Sequence, residues 1–295
     1  MWKERKEGRG KNLSNLSNKV VERKTQQSKM IRYIMYLVKL NIILRVKRVG
    51  FAVTFLLIVI GKAFADSHNI ENLMMRADEL YSQRNALSNA EESYLKYEEI
   101  TKIIPKNFDS HWKLARNIWY LGDFSPPKKR DEKIFMYKKG IEIAKRAVEI
   151  ASDRAEGYFW LGVMYGLYGE TKGILQSLFL VDDIREALNK SLAIDPTVEG
   201  GGAYRVLGRM EYKLPEFAGG SKKRSLEYLL KAKEICPTAP WTYIYLADTY
   251  LALKDKNLAI KSLKELISII PDLRWIPETK KYKEVAKEML KRIGE

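Results

Sequence analysis

The feature that most constrains this 295-residue chain is a short phrase that returns five times. It reads Lys102-Ile103-Ile104-Pro105, Glu149-Ile150-Ala151-Ser152, Ala193-Ile194-Asp195-Pro196, Glu234-Ile235-Cys236-Pro237 and Ser268-Ile269-Ile270-Pro271. Each closes a run in which apolar residues recur every three or four positions, the period of a helix with one buried face. Proline has no N–H to donate, so the phrase reads as a helix end. From Asp66 onward no stretch shows sustained period-two alternation, which leaves an all-α reading. Leu followed by a small residue comes soon after each of the first four phrases: Leu114-Ala115, Leu161-Gly162, Leu207-Gly208 and Leu246-Ala247. A ring stands three positions before each of these leucines, at His111, Tyr158, Tyr204 and Tyr243. Further small residues precede the helix ends at Ser93, Gly140, Ser225 and Ala259, and again at Ala147, Ser191 and Ala232.

Large, small and aromatic positions in this order, on helix pairs that end in proline, resemble the tetratricopeptide repeat over 70–271. The resemblance implies an all-α tetratricopeptide-repeat α-solenoid of about five helical hairpins, with 280–293 as a polar, Lys-rich C-terminal capping helix over the last apolar face. Ile184 and Leu266 stand where the family prefers small side chains, so those helices are expected slightly further apart. The last unit, Tyr243 to Pro271, keeps the family period, whereas earlier units are stretched by insertions at 121–134, 166–181 and 214–221. All three fall between the two helices of a hairpin and are expected to project on one edge, where added length often marks the binding face.

The net charge of +16 suggests a phosphate partner until its location is considered. Residues 1–65 hold 15 Lys+Arg and three acids, a net of +12, leaving +4 for 66–295. The excess therefore belongs to the N-terminal region, and nucleic acid is not an expected partner. Val49 to Ile60 is apolar, is preceded by Arg45, Lys47 and Arg48, and is followed by Ala63-Phe64-Ala65, the pattern of a secretory leader cleaved after Ala65. The expected organisation is a basic polar extension at 1–29, untranslated if synthesis starts at Met30 or Met35, then a signal peptide or N-terminal membrane anchor at 30–65, and a helical-repeat domain at 66–295. The working chain is then periplasmic or secreted, or is held at the inner membrane by 31–60, and membrane contact runs only through that segment. A single cysteine, Cys236, forbids an internal disulfide framework, and two histidines are too few for a Cys/His zinc cluster. No cofactor is expected.

Gly157-Tyr158-Phe159-Trp160-Leu161-Gly162, Leu207-Gly208-Arg209 and the turn Leu214-Pro215-Glu216-Phe217-Ala218-Gly219-Gly220 resemble the T-component family of tripartite ATP-independent periplasmic (TRAP) transporters over about 105–271. Trp112-Lys113-Leu114-Ala115-Arg116 resembles, more distantly, the regulators of microtubule dynamics. The transporter resemblance implies an accessory protein that binds a small organic ligand, a solute-binding partner or both. The best-known type of that family is a lipoprotein, and no cysteine follows the leader here to carry such an anchor.

Tyr158, Leu161 and Tyr165 have the i, i+3, i+7 spacing of an inter-helix stripe. Phe159 and Trp160 lie off it and are candidates for a cavity or interface. Arg116 and Arg209 both stand two positions after a repeat leucine, where a guanidinium fork suits a carboxylate or forms an intramolecular ion pair. With Trp119 and Phe217 these make the candidate ligand-binding set: Arg116, Trp119, Phe159, Trp160, Arg209 and Phe217. Gly200-Gly201-Gly202 lacks the Lys-Ser/Thr of a P-loop and reads as a flexible connection. Asp182, Asp183 and Glu186 share a helix face without a further ligand, so no metal site is assigned. No nucleophile–base pair can be placed in one cavity, so the chain is read as a binding protein and not an enzyme. Its partner is either a small organic acid or a protein of the solute-binding or envelope class; an alternative is an interaction scaffold with no small ligand. Oligomer formation is compatible with either.

Overall fold

The computed structural model describes residues 28–30, 32–41, 45, 69–126 and 128–295. The chain divides into two units, Met1–Asn69 and Ile70–Glu295. In the first, the described residues 28–30, 32–41 and 45 are helical. The apolar block at 49–60 and the expected cleavage site at Ala65 lie outside the described residues, among which no helix is long and apolar enough to cross a membrane.

The second unit is built from helices. They are α1 (69–82), α2 (Leu87–Ile103), α3 (Phe108–Phe124), α4 (Arg130–Ile150), α5 (Ala155–Lys172), α6 (Ile174–Phe179), α7 (Val181–Ile194), α8 (Val198–Lys213), α9 (Lys222–Ile235), α10 (Pro240–Ala252), α11 (Lys256–Ser268) and α12 (Ile276–Arg292). Five antiparallel hairpins result, α1/α2, α3/α4, α5/α7, α8/α9 and α10/α11, and α12 packs on α11 and α10. The recurring phrase marks the ends of the second helices: α2, α4, α7 and α9 each stop at its isoleucine, and the next N–H still donates to the carbonyl four residues back. Starts are set by local chemistry too. Asn107, Ser221 and Asp255 side chains accept from the N–H groups of Ser110, Arg224 and Leu258, and Pro240 opens α10 where no donor is needed.

The repeat positions form the core. Leu114, Leu207 and Leu246 are buried beside Ala115, Gly208 and Ala247, and Ser93, Ala147, Ser191, Ser225, Ala232 and Ala259 are inaccessible. Small residues let the helix axes approach. A Cβ on Gly208, for example, would stand 2.7 Å from Leu229 Cγ.

The three insertions meet along one edge. The first reaches the second where Arg130 Nε and Nη2 donate to the Thr171 and Lys172 carbonyls at 2.9 and 2.6 Å. The second reaches the end of α8, next to the start of the third, through the Lys213–Glu170 ion pair. Within the third, Gly220 is fixed by space, because a Cβ there would lie 2.1 Å from the Leu214 carbonyl oxygen. Its N–H donates to the Pro215 carbonyl at 3.0 Å, and Gly219 takes φ +83. The Leu-Pro-x-x-x-Gly-Gly pattern is thus a folding instruction for a tight turn.

The C-terminal segment differs from the expected polar cap. Ala286 and Leu290 do cover the last hairpin. The helix, however, begins earlier, at Ile276, and its first turns enter the interior of the superhelix. There Glu278, 0 % exposed, receives Arg84 from the turn after α1: Nε donates to Oε1 at 3.0 Å and Nη2 to Oε1 and Oε2 at 2.8 and 2.9 Å. Arg84 Nη1 donates to the Tyr81 carbonyl at 3.0 Å, and Nη2 also donates to the Arg274 carbonyl. The first hairpin therefore touches the cap 194 residues later, and the solenoid closes on itself. Burial pushes the Glu278 carboxyl up, and the adjacent Arg84 guanidinium opposes that shift.

Candidate functional site

In a repeat solenoid the first helix of each hairpin lines the concave side, and here closure turns that side into a cavity of about 530 Å³. Trp119 of α3 packs against Trp160 of α5 at 5.8 Å between ring centroids and against Trp241 of α10 at 5.7 Å. Trp241 meets Trp275 at 5.7 Å, so aromatic contact spans from the second hairpin to the fifth and on to the cap. Gly173, Ser177 and Leu178, at and within α6, face the cavity beside Leu214 and Pro215 of the third insertion. Tyr81, Arg84, Trp275 and Glu278 line it from the closure.

Arg116, Trp119, Phe159, Trp160 and Arg209 all line this cavity. Phe217 does not: it sits on the short 3₁₀ turn Glu216–Ala218 and is 87 % exposed. That turn is held from below by its glycines, which leaves the phenyl ring facing outward. Phe159 and Trp160 are more buried than the Tyr158 and Tyr165 stripe, because a closed superhelix buries its concave face as well as its inter-helix seams.

The two arginines in equivalent repeat positions differ. Arg209 Nη1 donates to Asp248 Oδ2 at 2.6 Å, and its guanidinium rests on Tyr245 and Tyr212. Asp248 occupies the same repeat position one hairpin later, so the intramolecular pair reading applies to Arg209. Arg116 makes no side-chain hydrogen bond among the described residues. Its guanidinium carbon lies 3.8 Å from the Tyr81 ring centroid and 4.9 Å from that of Trp112, and its Nε is buried without a partner. Such a stack holds the cation through the ring faces and leaves its terminal N–H groups available to an acceptor.

Two further groups were not singled out by sequence reasoning. Arg205 is buried and lines the cavity; its Nη1 and Nη2 donate to the Gly200 and Glu199 carbonyls at 3.1 and 3.0 Å, and its guanidinium carbon is 5.1 Å from the Trp241 ring. It has no carboxylate partner among the described residues, and burial pulls its pKa down from the ordinary arginine value. Alignment of the repeats would have found it, since Arg205 stands two before Leu207 as Phe159 stands two before Leu161. Glu199 also lines the cavity, at φ 48 and ψ 38, a left-handed conformation that costs a non-glycine residue about 1 kcal/mol. The glycines read as a flexible connection are instead tightly fitted. Gly200 and Gly201 continue the left-handed run at φ 61 and 70, and a Cβ on Gly202 would stand 2.6 Å from Phe159 Cε2. This local winding, invisible in composition, turns Glu199 toward the arginines. Asp123, on the opposite wall, is pushed up by burial, with Lys281 opposing.

Among the described residues no cluster of His, Cys, Asp and Glu could hold a metal ion. Stacked helix hairpins around an aromatic and basic cavity define a tetratricopeptide-type helical-repeat protein. A thermophilic TPR protein of Thermus thermophilus, TTC0263, has the same fold, with a TM-score of 0.56 at 17% identity over 74% of this chain and 99% of its own. The chain belongs to the regulator of microtubule dynamics protein 1-3 family, whose model matches residues 73–294. It is 24% identical over 222 residues to regulator of microtubule dynamics protein 1 of Bos taurus, covering 68% of this chain and 66% of that protein. It is 22% identical over 206 residues to the Mus musculus protein of that name, covering 64% and 65%. It thus spans just under two thirds of the length of these relatives. The family shown is the more distant of the two resemblances read from the sequence, and the transporter T-component is not the family that the match returns.

Proposed function

We propose that the protein is a non-enzymatic interaction scaffold that captures the apolar C-terminal end of a partner chain in its concave cavity. The observation that carries this reading is Arg116, a guanidinium stacked between two rings inside an aromatic cavity with no hydrogen-bond acceptor of its own among the described residues. A carboxylate entering between Trp119, Trp160 and Trp241 would supply that acceptor, with Arg205 adding positive potential and Glu199 rejecting a second negative group. The repeat fold and the family support a scaffold role. The test is calorimetric titration of the full chain with an apolar peptide ending in phenylalanine, as the free acid and as the C-terminal amide. The free acid is expected to bind at least tenfold more tightly; equal binding of both, or of neither, overturns the reading.

A second reading takes its support from the closure itself, since a walled cavity of this size suits a free organic acid as well as a peptide end. In that case the chain serves as the accessory component of a TRAP-type transport system, periplasmic after cleavage near Ala65 or held by 31–60. Native mass spectrometry of the purified full chain separates the two. A retained small organic acid supports the transport reading, and a ligand-free protein that binds the peptide acid supports the scaffold.

A further inference from the structure

Asp123 is a carboxylate on the cavity wall that the capture of a C-terminus leaves unused. Its side chain makes neither a hydrogen bond nor an ion pair among the described residues; only its main-chain carbonyl is engaged, by Lys281 Nζ at 2.8 Å. That ammonium rests over the Phe124 ring, 4.1 Å from its centroid. Burial pushes the Asp123 carboxyl up, and Lys281, Lys133 and Lys213, which oppose the shift, do not outweigh it. Lys213 is itself paired with Glu170, which stands nine residues after Leu161 as Asp123 stands nine after Leu114. The same repeat position thus carries an acid on two successive hairpins, matched on the second and unmatched on the first. Arg116, Trp119 and Asp123 occupy i, i+3 and i+7 of α3, one face of the helix, and all three line the cavity. At a rise of about 1.5 Å per residue, the positions that carry the unmatched guanidinium and the unmatched carboxylate are about 10 Å apart along the helix axis, with Trp119 between them.

We propose that the captured chain end carries a basic side chain next to its apolar terminal residue, and that Asp123 binds this cation while Arg116 binds the terminal carboxylate. The inference rests on the capture reading and adds a sequence requirement to it. The spans agree. In an extended chain the ammonium of a penultimate lysine reaches about 10 Å from the terminal carboxylate, one residue step of about 3.8 Å plus a side chain of about 6 Å. A neutral side chain at that position would leave the Asp123 carboxylate partly desolvated and without a partner, and an acidic one would add repulsion. The competing arrangement is an internal pair with Lys281, for which that lysine would give up the Asp123 carbonyl and the Phe124 ring face.

The test is a calorimetric titration of the full chain and its Asp123→Asn variant with N-acetylated peptide acids that end in lysine-phenylalanine or norleucine-phenylalanine. The substitution is expected to weaken the lysine peptide at least fivefold and to change the norleucine peptide less than twofold. Equal losses for both peptides overturn the proposal and assign Asp123 to the shape of the cavity. No loss for either overturns it in favour of the internal pair with Lys281. A third peptide, ending in glutamate-phenylalanine, tests the parent chain without any substitution. It is expected to bind at least tenfold more weakly than the lysine peptide; equal or tighter binding means that the arginines alone set the charge preference, and the cation site falls. The C-terminal amide of the lysine peptide reports on capture separately. Preference for the acid without preference for lysine leaves capture standing and removes only the cation site, whereas equal binding of acid and amide, or of neither, removes both.

Discussion

Two groups of charge lie on the wall of one cavity and are treated oppositely. At the closure, Arg84 and Glu278 satisfy each other through three side-chain hydrogen bonds, and the remaining donors of Arg84 reach backbone carbonyls. On the neighbouring wall, Arg116 has only ring faces, and Arg205 and Glu199 have no opposite charge at ion-pair distance among the described residues. A pair that is fully matched serves the fold, since nothing is left over for a ligand to use. A charge left unmatched on the wall of a largely apolar cavity is costly to maintain, which makes it the more informative marker of binding.

The sharpest way to break this contrast is Glu278→Ala. It leaves Arg84 buried and unpaired, and unfolding by urea is expected to show a loss of about 3–5 kcal/mol. The double variant Arg84→Met with Glu278→Leu should recover most of that loss. If the single variant is as stable as the parent, the closure is not a structural seam. Gly220→Ala comes next, at about 1–3 kcal/mol in the same assay, because its Cβ would meet backbone that cannot move away. Arg116→Met should give the reverse pattern to Glu278→Ala. The melting temperature is expected to hold, with a stability change within about 0.5 kcal/mol, while affinity for the peptide acid falls about 10-fold or more, the worth of a charge-assisted hydrogen bond. A large loss of stability in this variant would place Arg116 with the structural charges.

The smallest effect belongs to the outer surface. Hydrogen bonds from Lys102 and Lys139 lower the Glu98 pKa to about 2. A lowered folded-state value means that the stabilisation is present above the ordinary carboxylate range and is lost as pH falls from about 4.5 through about 2. Acid titration of the Glu98→Gln variant should therefore lack part of the parent's loss in that window. Solvent access to Lys102 keeps the difference modest.

Helix ends, hairpin count and core positions were all legible in the sequence, because each depends on residues within one turn or one repeat of one another. The proline phrase stops a helix by local hydrogen-bond chemistry, and the buried leucine and small-residue positions recur at spacings that can be counted. Five candidate residues could be placed on the first helices of their hairpins for the same reason. Phe217 was misplaced because its direction depends on a glycine turn whose geometry the residue types do not specify. Arg205 escaped notice because arginine in an otherwise apolar row reads as a surface residue until the row is known to face inward.

The sequence by itself determined an all-α repeat, its register and the edge that carries the insertions. Whether that repeat would remain an open solenoid or close was decided only by tertiary structure. Closure depends on contacts between Arg84 and Glu278, 194 residues apart, and between Trp119 and Trp241, 122 apart. Neither pair is linked by any local periodicity. The accumulated twist of five hairpins brings these residues within reach, and that superhelical geometry turns an ordinary concave row of side chains into a walled, partly open site.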